Sequence, residues 1–284
     1  EQWQSILEAN NHAAPMAVRV NVQRTTREVL MAQWQQAGLS ASTVGDYGLV
    51  LDKARAVHDI PGFAEGLWSV QDPAAQCAAP LLLAGLGRLV KDATTVDNQN
   101  QTGLRVLDAC AAPGGKTAHL LESVATDGLV LVALEIDTER TKKIQNTINR
   151  LGLASDSVNV VTGDASKQDW WDGVLFDKII LDVPCSASGI VRRHPDIVFL
   201  RREEDINSLV KTQKAILENA WQMLRNQGLL LYLTCSIFPE EGEQQIQEFV
   251  QAHPNALRLE APGQLLPKAH HDGFFYGLLK KTDS

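Results

Sequence analysis

The sequence contains no C-x-x-C pair. Its four cysteines stand far apart, at 77, 110, 185 and 235. That spacing argues against a zinc site or a disulfide framework, and isolated thiols suit a reducing cytoplasm. There is no run of 18 or so uncharged apolar residues, so no membrane-spanning helix is expected. No secretory signal pattern is visible. Excess positive charge is missing as well: the net charge is −8 and the pI about 5.4. A protein that coats nucleic acid without regard to sequence is normally basic, so any nucleic-acid contact here must rest on local patches. Two cofactor signatures are also absent. No G-x-G-x-x-G is present, and Gly115-Lys116-Thr117 ends like a phosphate loop but has Cys110 where that motif requires glycine. Neither NAD nor ATP is indicated. Internal repeats and low-complexity tracts are lacking.

What is present is 284 residues with 44% hydrophobic content, enough for a sizeable core and two domains. The chain opens at Glu1 rather than Met, inside a predicted helix, the mark of a processed or shortened chain. Residues 1–65 read as a small α+β region. Met16 to Val22 alternates weakly, as a strand does, and 26–38 (TREVLMAQWQQAG) has a helical pattern closed by Gly38. Arg19, Arg24 and Arg27 lie close together there, able either to touch phosphate or simply to solubilise a strand and a helix start. Pro61-Gly62 marks a turn. Residues 66–284 form the second unit. It opens with a short strand at 68 and a helix predicted from about Pro73 to Leu86.

From Leu104 onward, strands and helices alternate. Predicted strands are Leu104–Leu107, Leu129–Ile136, Val158–Val161, Phe176–Leu181 and Gly228–Leu233; predicted helices are Thr138–Leu151, Glu203–Leu224 and Glu240–Ala252. Two closing strands, near Leu257–Glu260 and Phe274–Lys280, have no clear helix between them. Repeated β-α units imply an α/β fold with a mostly parallel sheet.

The stretch 104–122 (LRVLDACAAPGGKTAHLLE) organises this region. Strand, glycine turn and helix is how α/β proteins hold a nucleotide-like cofactor at the carboxyl edge of a sheet. Each of the first four strands then ends near a carboxylate: Asp108, Glu135, Asp164 and Asp182. An acid about 20 residues past the glycine turn suits a ribose diol, and one after the third strand can meet an adenine amine. Two thiols follow neighbouring strands, in Asp182-Val183-Pro184-Cys185 and Thr234-Cys235-Ser236. Both should face one cleft, with Lys116 and Arg192 as cations able to favour a thiolate. The segment 188–202 (SGIVRRHPDIVFLRR) carries four Arg against one Asp, which reads as a solvated, salt-bridged surface.

The motifs DACAAPGGK (108–116), DVPCSASG (182–189) and TCSIFPEE (234–241), with VQDPAAQ (70–76), GIVRRHPDI (189–197) and DGFFYGLLKK (272–281), resemble the RNA 5-methylcytosine methyltransferases. Within that family they are most similar to the bacterial 16S ribosomal RNA enzymes. The resemblance covers nearly the whole chain. It implies a seven-stranded Rossmann-like sheet with a reversed last hairpin, S-adenosylmethionine as cofactor, and 16S ribosomal RNA with an unstacked cytosine as partner. It further implies that Cys110, Ala111, Ala112, Pro113, Gly114, Gly115 and Lys116 wrap the cofactor. Glu135 would hold its ribose, Asp164 would contact its adenine, and Asp182 would lie between cofactor and base. Cys235 is implied as nucleophile and Cys185 as its assistant. No metal and no membrane is implied, and a monomer is favoured. Members usually carry an N-terminal helical NusB-like domain, to which nothing here corresponds. The competing readings are a non-catalytic RNA-binding protein of the same fold, and a tRNA or DNA cytosine-C5 methyltransferase.

Overall fold

A computed structural model describes residues 2–84, 103–124 and 128–283. The first part contains α1 (Gln2–Asn10), β1 (Met16–Val20), α2 (Arg27–Gln36), β2 (Ala41–Val44), β3 (Gly48–Leu51) and β4 (Trp68–Val70). The four strands form an antiparallel sheet in the order β2-β3-β1-β4. Thr26 caps α2 by accepting the Val29 N–H, and Leu30 and Trp34 on its inner face pack with Val18, Leu49 and Trp68. The Trp34 and Trp68 rings meet edge to face at 5.9 Å. Both donate their indole N–H to the Pro61 carbonyl, at 3.0 and 2.8 Å, which leaves no buried polar tip unsatisfied.

Then follow α3 (Ala78–Leu83), β5 (Leu104–Ala109), α4 (Gly115–Ser123), β6 (Leu129–Glu135), α5 (Thr138–Leu151), β7 (Val158–Thr162), β8 (Phe176–Asp182), α6 (Ile197–Leu200), α7 (Glu203–Met223), β9 (Leu224–Thr234), α8 (Glu243–Ala252), β10 (Ala256–Leu265) and β11 (Phe274–Lys281). The sheet is seven-stranded, in the order β10-β11-β9-β8-β5-β6-β7. Strands β5 to β9 run parallel to one another, and β11 is antiparallel to both β9 and β10. The expected reversed hairpin is therefore present. Successive strand residues alternate between two cores. Val106, Leu131, Ala133, Leu231 and Leu233 pack with α3, α4 and α5. Leu107, Val132, Leu134, Leu230 and Tyr232 pack with α7 and α8. Burial on both faces explains the unbroken apolar runs in the sequence.

Several expected boundaries shift. The helix placed from Pro73 is a 3-10 turn at Ala75–Cys77 followed by α3; residues 85–86 of that expectation lie outside the described residues. The helix expected from Glu240 starts at Glu243, because Pro239–Glu241 forms a 3-10 turn with Glu241 buried. Strand β9 begins at Leu224 rather than Gly228, and β10 runs on to Leu265. Arg19 is neither phosphate-facing nor solubilising: it is 1% exposed and bonded to Glu122, Gln71 and the Gly115 carbonyl. A charged side chain is buried this deeply only with such partners.

Candidate active site

Strand register places the candidate residues along one edge. Asp108 is level with Ile180, and Ala109 with Leu134 and Leu181. One step further, Cys110, Glu135 and Asp182 stand side by side. Glu135 pairs with Thr162, two residues before Asp164, and Asp182 with Leu233, two residues before Cys235. The strand order turns in opposite directions from β5, so the loops after β5 and β8 part and leave a crevice, the usual ligand position in open α/β sheets.

The loop Cys110 to Lys116 is built to lie flat. Cys110 has φ +60° and Gly114 φ +97°; a Cβ at Gly114 would come within 3.1 Å of the Ile144 Cα. Glycine is required there on both counts. Ala111 donates its N–H to the Leu134 carbonyl at 2.9 Å, Thr147 donates to the Pro113 carbonyl at 2.9 Å, and Arg140 to that of Ala112 at 3.3 Å. At Gly115, by contrast, a Cβ would meet only the Gln71 amide at 3.9 Å. The loop is anchored behind and open in front, the shape needed for a close-lying cofactor.

Glu135 is 2% exposed. It accepts the Ala112 N–H at 3.2 Å and the Asp137 N–H at 3.3 Å, with the Arg140 guanidinium 3.3 Å away. Asp164 accepts both the N–H and the hydroxyl of Ser166, at 2.9 and 2.7 Å, and these bonds hold its carboxyl below the usual carboxylate range. Asp182 receives the Lys116 ammonium at 2.5 Å. Burial would lower the Lys116 pKa, but Asp182, Asp108 and Cys235 outweigh it and raise it. Asp108 lies beneath the loop, fully buried. Thr117 donates to its Oδ2 at 2.5 Å, its Oδ1 has no partner, and burial pushes its carboxyl up to about 7. A flat loop open to one side, two carboxylates on successive strand ends and an ammonium–carboxylate pair form a donor set that fits a nucleoside carrying an amino-acid-like tail.

The two thiols converge as their positions implied: Cys185 Sγ and Cys235 Sγ are 3.3 Å apart. The Cys235 contact, burial and Glu241 push the Cys185 thiol well above its usual pKa. Cys110 is also pushed up, by burial and by Asp182, Glu135 and Asp108, so it lines the loop as a neutral thiol. Of the two cations expected near the thiols, Lys116 stands on this edge. Arg192 does not: its guanidinium is held by Asp272 at 2.7 Å and by the Lys268 carbonyl at 2.8 Å. The segment 188–202 is salt-bridged as expected, and residues 194–196 and 198–202 are exposed, but Arg192 is turned inward. Arg193 bonds to Asp272 and to Asp72, the latter at 2.9 Å, tying the segment to the entry of β11. Its exposed residues include the apolar Val198, Phe199 and Leu200 beside His194, Asp196, Arg201 and Arg202.

Sequence reasoning missed three groups. Arg19 ties the first sheet to α4. Ser186 and Ser236 follow the two cysteines directly, and that repeated Cys-Ser spelling was the available signal. Glu241, the last residue of the TCSIFPEE motif, lies fully buried behind both.

Residues 93–280 match the family model described as 16S rRNA methyltransferase RsmB/F. Residues 1–58 match one described as an RsmF/B-like methyltransferase ferredoxin-like domain. A ribosomal RNA small subunit methyltransferase B of Vibrio cholerae is 43% identical over 99% of this chain and 62% of its own length. A probable ribosomal RNA small subunit methyltransferase B of Coxiella burnetii is 40% identical over 99% of this chain and 65% of its own. The chain thus spans somewhat less than two thirds of these curated relatives. Among solved structures, a methyltransferase homolog protein from Pyrococcus horikoshii superposes with a TM-score of 0.80 at 26% identity, covering 99% of this chain and 91% of that one.

Proposed function

We propose that this chain, which belongs to the 16S rRNA methyltransferase RsmB/F family, transfers a methyl group from S-adenosylmethionine to C5 of a cytosine in 16S ribosomal RNA. The observation that carries this reading is the thiol pair, 3.3 Å apart at the ends of adjacent parallel strands and beside an open glycine loop. Residues 1–65 are assigned an RNA-contacting role and 66–284 the methyl transfer. In support, Arg24 and Arg27 bond to carbonyls and form no ion pair among the described residues.

Bound at the loop, S-adenosylmethionine supplies an electrophilic methyl group on a sulfonium. The chain supplies the rest. The Cys110–Lys116 loop and Asp164 bind and orient, Glu135 holds the ribose diol, and Asp182, fixed by Lys116, faces N3 of the ring. C5 of cytosine is a poor nucleophile. Attack of the Cys235 sulfur on C6 forms an S–C6 bond and moves the ring π electrons to C5, where they take the methyl group. A base then removes the C5 proton, the C5=C6 bond re-forms, and the S–C6 bond breaks with its electrons returning to Cys235. Cys185 can hand its proton to the departing sulfur. Entry to the crevice requires the base to be unstacked from its neighbours.

Radiolabelled methyl transfer to 16S RNA, with tRNA and DNA as competitors and mapping of the modified base, tests the reading. Label at C5 of cytosine in 16S RNA is expected. Cofactor binding without transfer would favour a purely RNA-binding role, and preferential labelling of tRNA or DNA would reassign the substrate.

A further inference from the structure

Behind the two thiols lies a cluster of buried polar side chains. Glu241, Ser186, Ser236, Ser188 and Gln213 are all buried. Glu241 Oε1 accepts the Ser186 N–H at 2.8 Å and the Gln213 amide at 3.1 Å, and Oε2 accepts the Ser186 hydroxyl at 2.5 Å. Three donors and no returned proton is the bonding pattern of a carboxylate acceptor. Because the Ser186 proton goes to Glu241, its oxygen is free to accept from Ser236, 3.3 Å away. Ser236 in turn accepts from Ser188 at 3.0 Å and from the Phe238 N–H at 3.0 Å. Ser188 accepts the Ile237 N–H at 3.0 Å. The hydroxyls therefore all point one way, Ser188 to Ser236 to Ser186 to Glu241, and stitch the turn after β8 to the turn after β9.

We propose that Glu241 is a positioning residue for the thiol pair. Its buried carboxylate locks the turns carrying Cys185 and Cys235 together, and its charge keeps their shared proton on Cys185, so that Cys235 presents the free sulfur electron pair. Among the charged groups around the pair, Arg201 reaches the Cys185 turn only at the Ser186 carbonyl, 3.0 Å away. Lys116 interacts favourably with Cys235, as does its own partner Asp182 with Lys116. Tyr232 lies on the Cys185 side, and Tyr276 on the Cys235 and Asp182 side. Burial pushes both phenols well above their usual range, so they stay neutral. A negative charge behind one sulfur and a positive charge near the other direct the proton to the first. The consequence for methyl transfer rests on Cys235 being the nucleophile.

The test uses neither RNA nor cofactor. Iodoacetamide alkylates thiolates, with sulfur displacing iodide. Initial rates at each cysteine of the full chain are followed from pH 6 to 10.5 by peptide mass spectrometry. In the wild type, Cys235 is expected to react at least about tenfold faster than Cys185 near neutral pH. In Glu241→Gln, which keeps most of the contacts and removes the charge, the midpoint for Cys185 should fall by roughly one pH unit or more and the rate ratio shrink about tenfold. Ser186→Ala keeps the charge and breaks the hydroxyl link, so its Cys185 midpoint should stay near that of the wild type. Faster labelling of Cys185 in the wild type would overturn the proposal. So would an unchanged ratio in Glu241→Gln, or the same downward shift in Ser186→Ala. The wild-type ratio needs no variant, so an unfolded Glu241→Gln still leaves a decisive reading. A failure here leaves methyl transfer standing, and a chain inactive in methyl transfer leaves the thiol asymmetry standing.

Discussion

Arg19 and Glu122 form a two-pronged ion pair, Nε to Oε2 at 2.8 Å and Nη2 to Oε1 at 2.9 Å, with both side chains sealed from solvent. Arg19 belongs to the four-stranded sheet and Glu122 to the helix that follows the glycine loop. The remaining Arg19 nitrogen reaches the Gly115 carbonyl at 2.9 Å. The first sheet is thereby fastened to the back of the candidate cofactor loop.

Arg19→Leu should destabilise the fold by about 3–5 kcal/mol, because Glu122 is left as a buried charge without its partner. The double variant Arg19→Leu/Glu122→Leu should recover most of that loss. Urea denaturation of the four members of the cycle measures the coupling. A loss below about 1 kcal/mol in the single variant, the level of a surface pair, would refute it.

Glu135→Ala should weaken S-adenosylmethionine binding by an amount on the order of 1.5–3 kcal/mol, the worth of a hydrogen bond to a charged group. Glu135→Gln retains an acceptor for the Ala112 N–H and should lose less. Titration calorimetry of both variants separates ribose contact from loop support. Unchanged affinity in Glu135→Ala would remove the residue from the cofactor site.

Asp108 gives the fold a pH dependence of known sign. Its carboxyl ionises near 3.9 in an unfolded chain and at about 7 when buried. Between those values the folded state keeps a proton that the unfolded state has lost. The group's contribution to stability therefore falls as pH rises from about 4 to about 7, and is level on either side. Asp72, raised by burial to about 6, acts in the same direction. Asp108→Asn should gain on the wild type by a few kcal/mol between pH 4 and pH 8 in urea-unfolding midpoints. Parallel curves for the two proteins would contradict the assignment.

The thiols should separate by variant. Cys235→Ala should abolish methyl transfer and form no RNA adduct. Cys185→Ala should still attack and methylate but release slowly, accumulating a protein–RNA band on a denaturing gel. The double variant should show none. An adduct with Cys235→Ala and none with Cys185→Ala would exchange the two roles.

The large sheet was legible in the sequence because its strands are buried on both faces, and runs such as Leu129 to Glu135 have no other economical use. The site was legible because its motifs sit at strand ends, where register alone aligns them. The antiparallel hairpin Ala41–Leu51 went unread, although the glycine-containing turn between Val44 and Gly48 is a hairpin signal. Arg19 in MAVRV looked like an outward strand residue, since a partner 103 positions away leaves no local trace. Arg192 looked like a free cation for the same reason, its partner Asp272 standing 80 positions later. Glu241 sat in a charged Pro-Glu-Glu stretch that gives no hint which carboxylate turns inward.

The reversed strand β11 lies between β9 and β10 yet comes after both in the chain. During synthesis on the ribosome, β9 and β10 therefore emerge without the strand that must separate them. Until residues 274–281 arrive, the Leu229–Leu233 run of β9 has an open apolar edge, the kind of edge that recruits foreign strands. The same delay withholds Asp272, and with it the anchor of Arg192 and Arg193. A nascent chain halted before that point holds both thiols but not the clasp beside them, so maturation and protection from aggregation arrive in one late step.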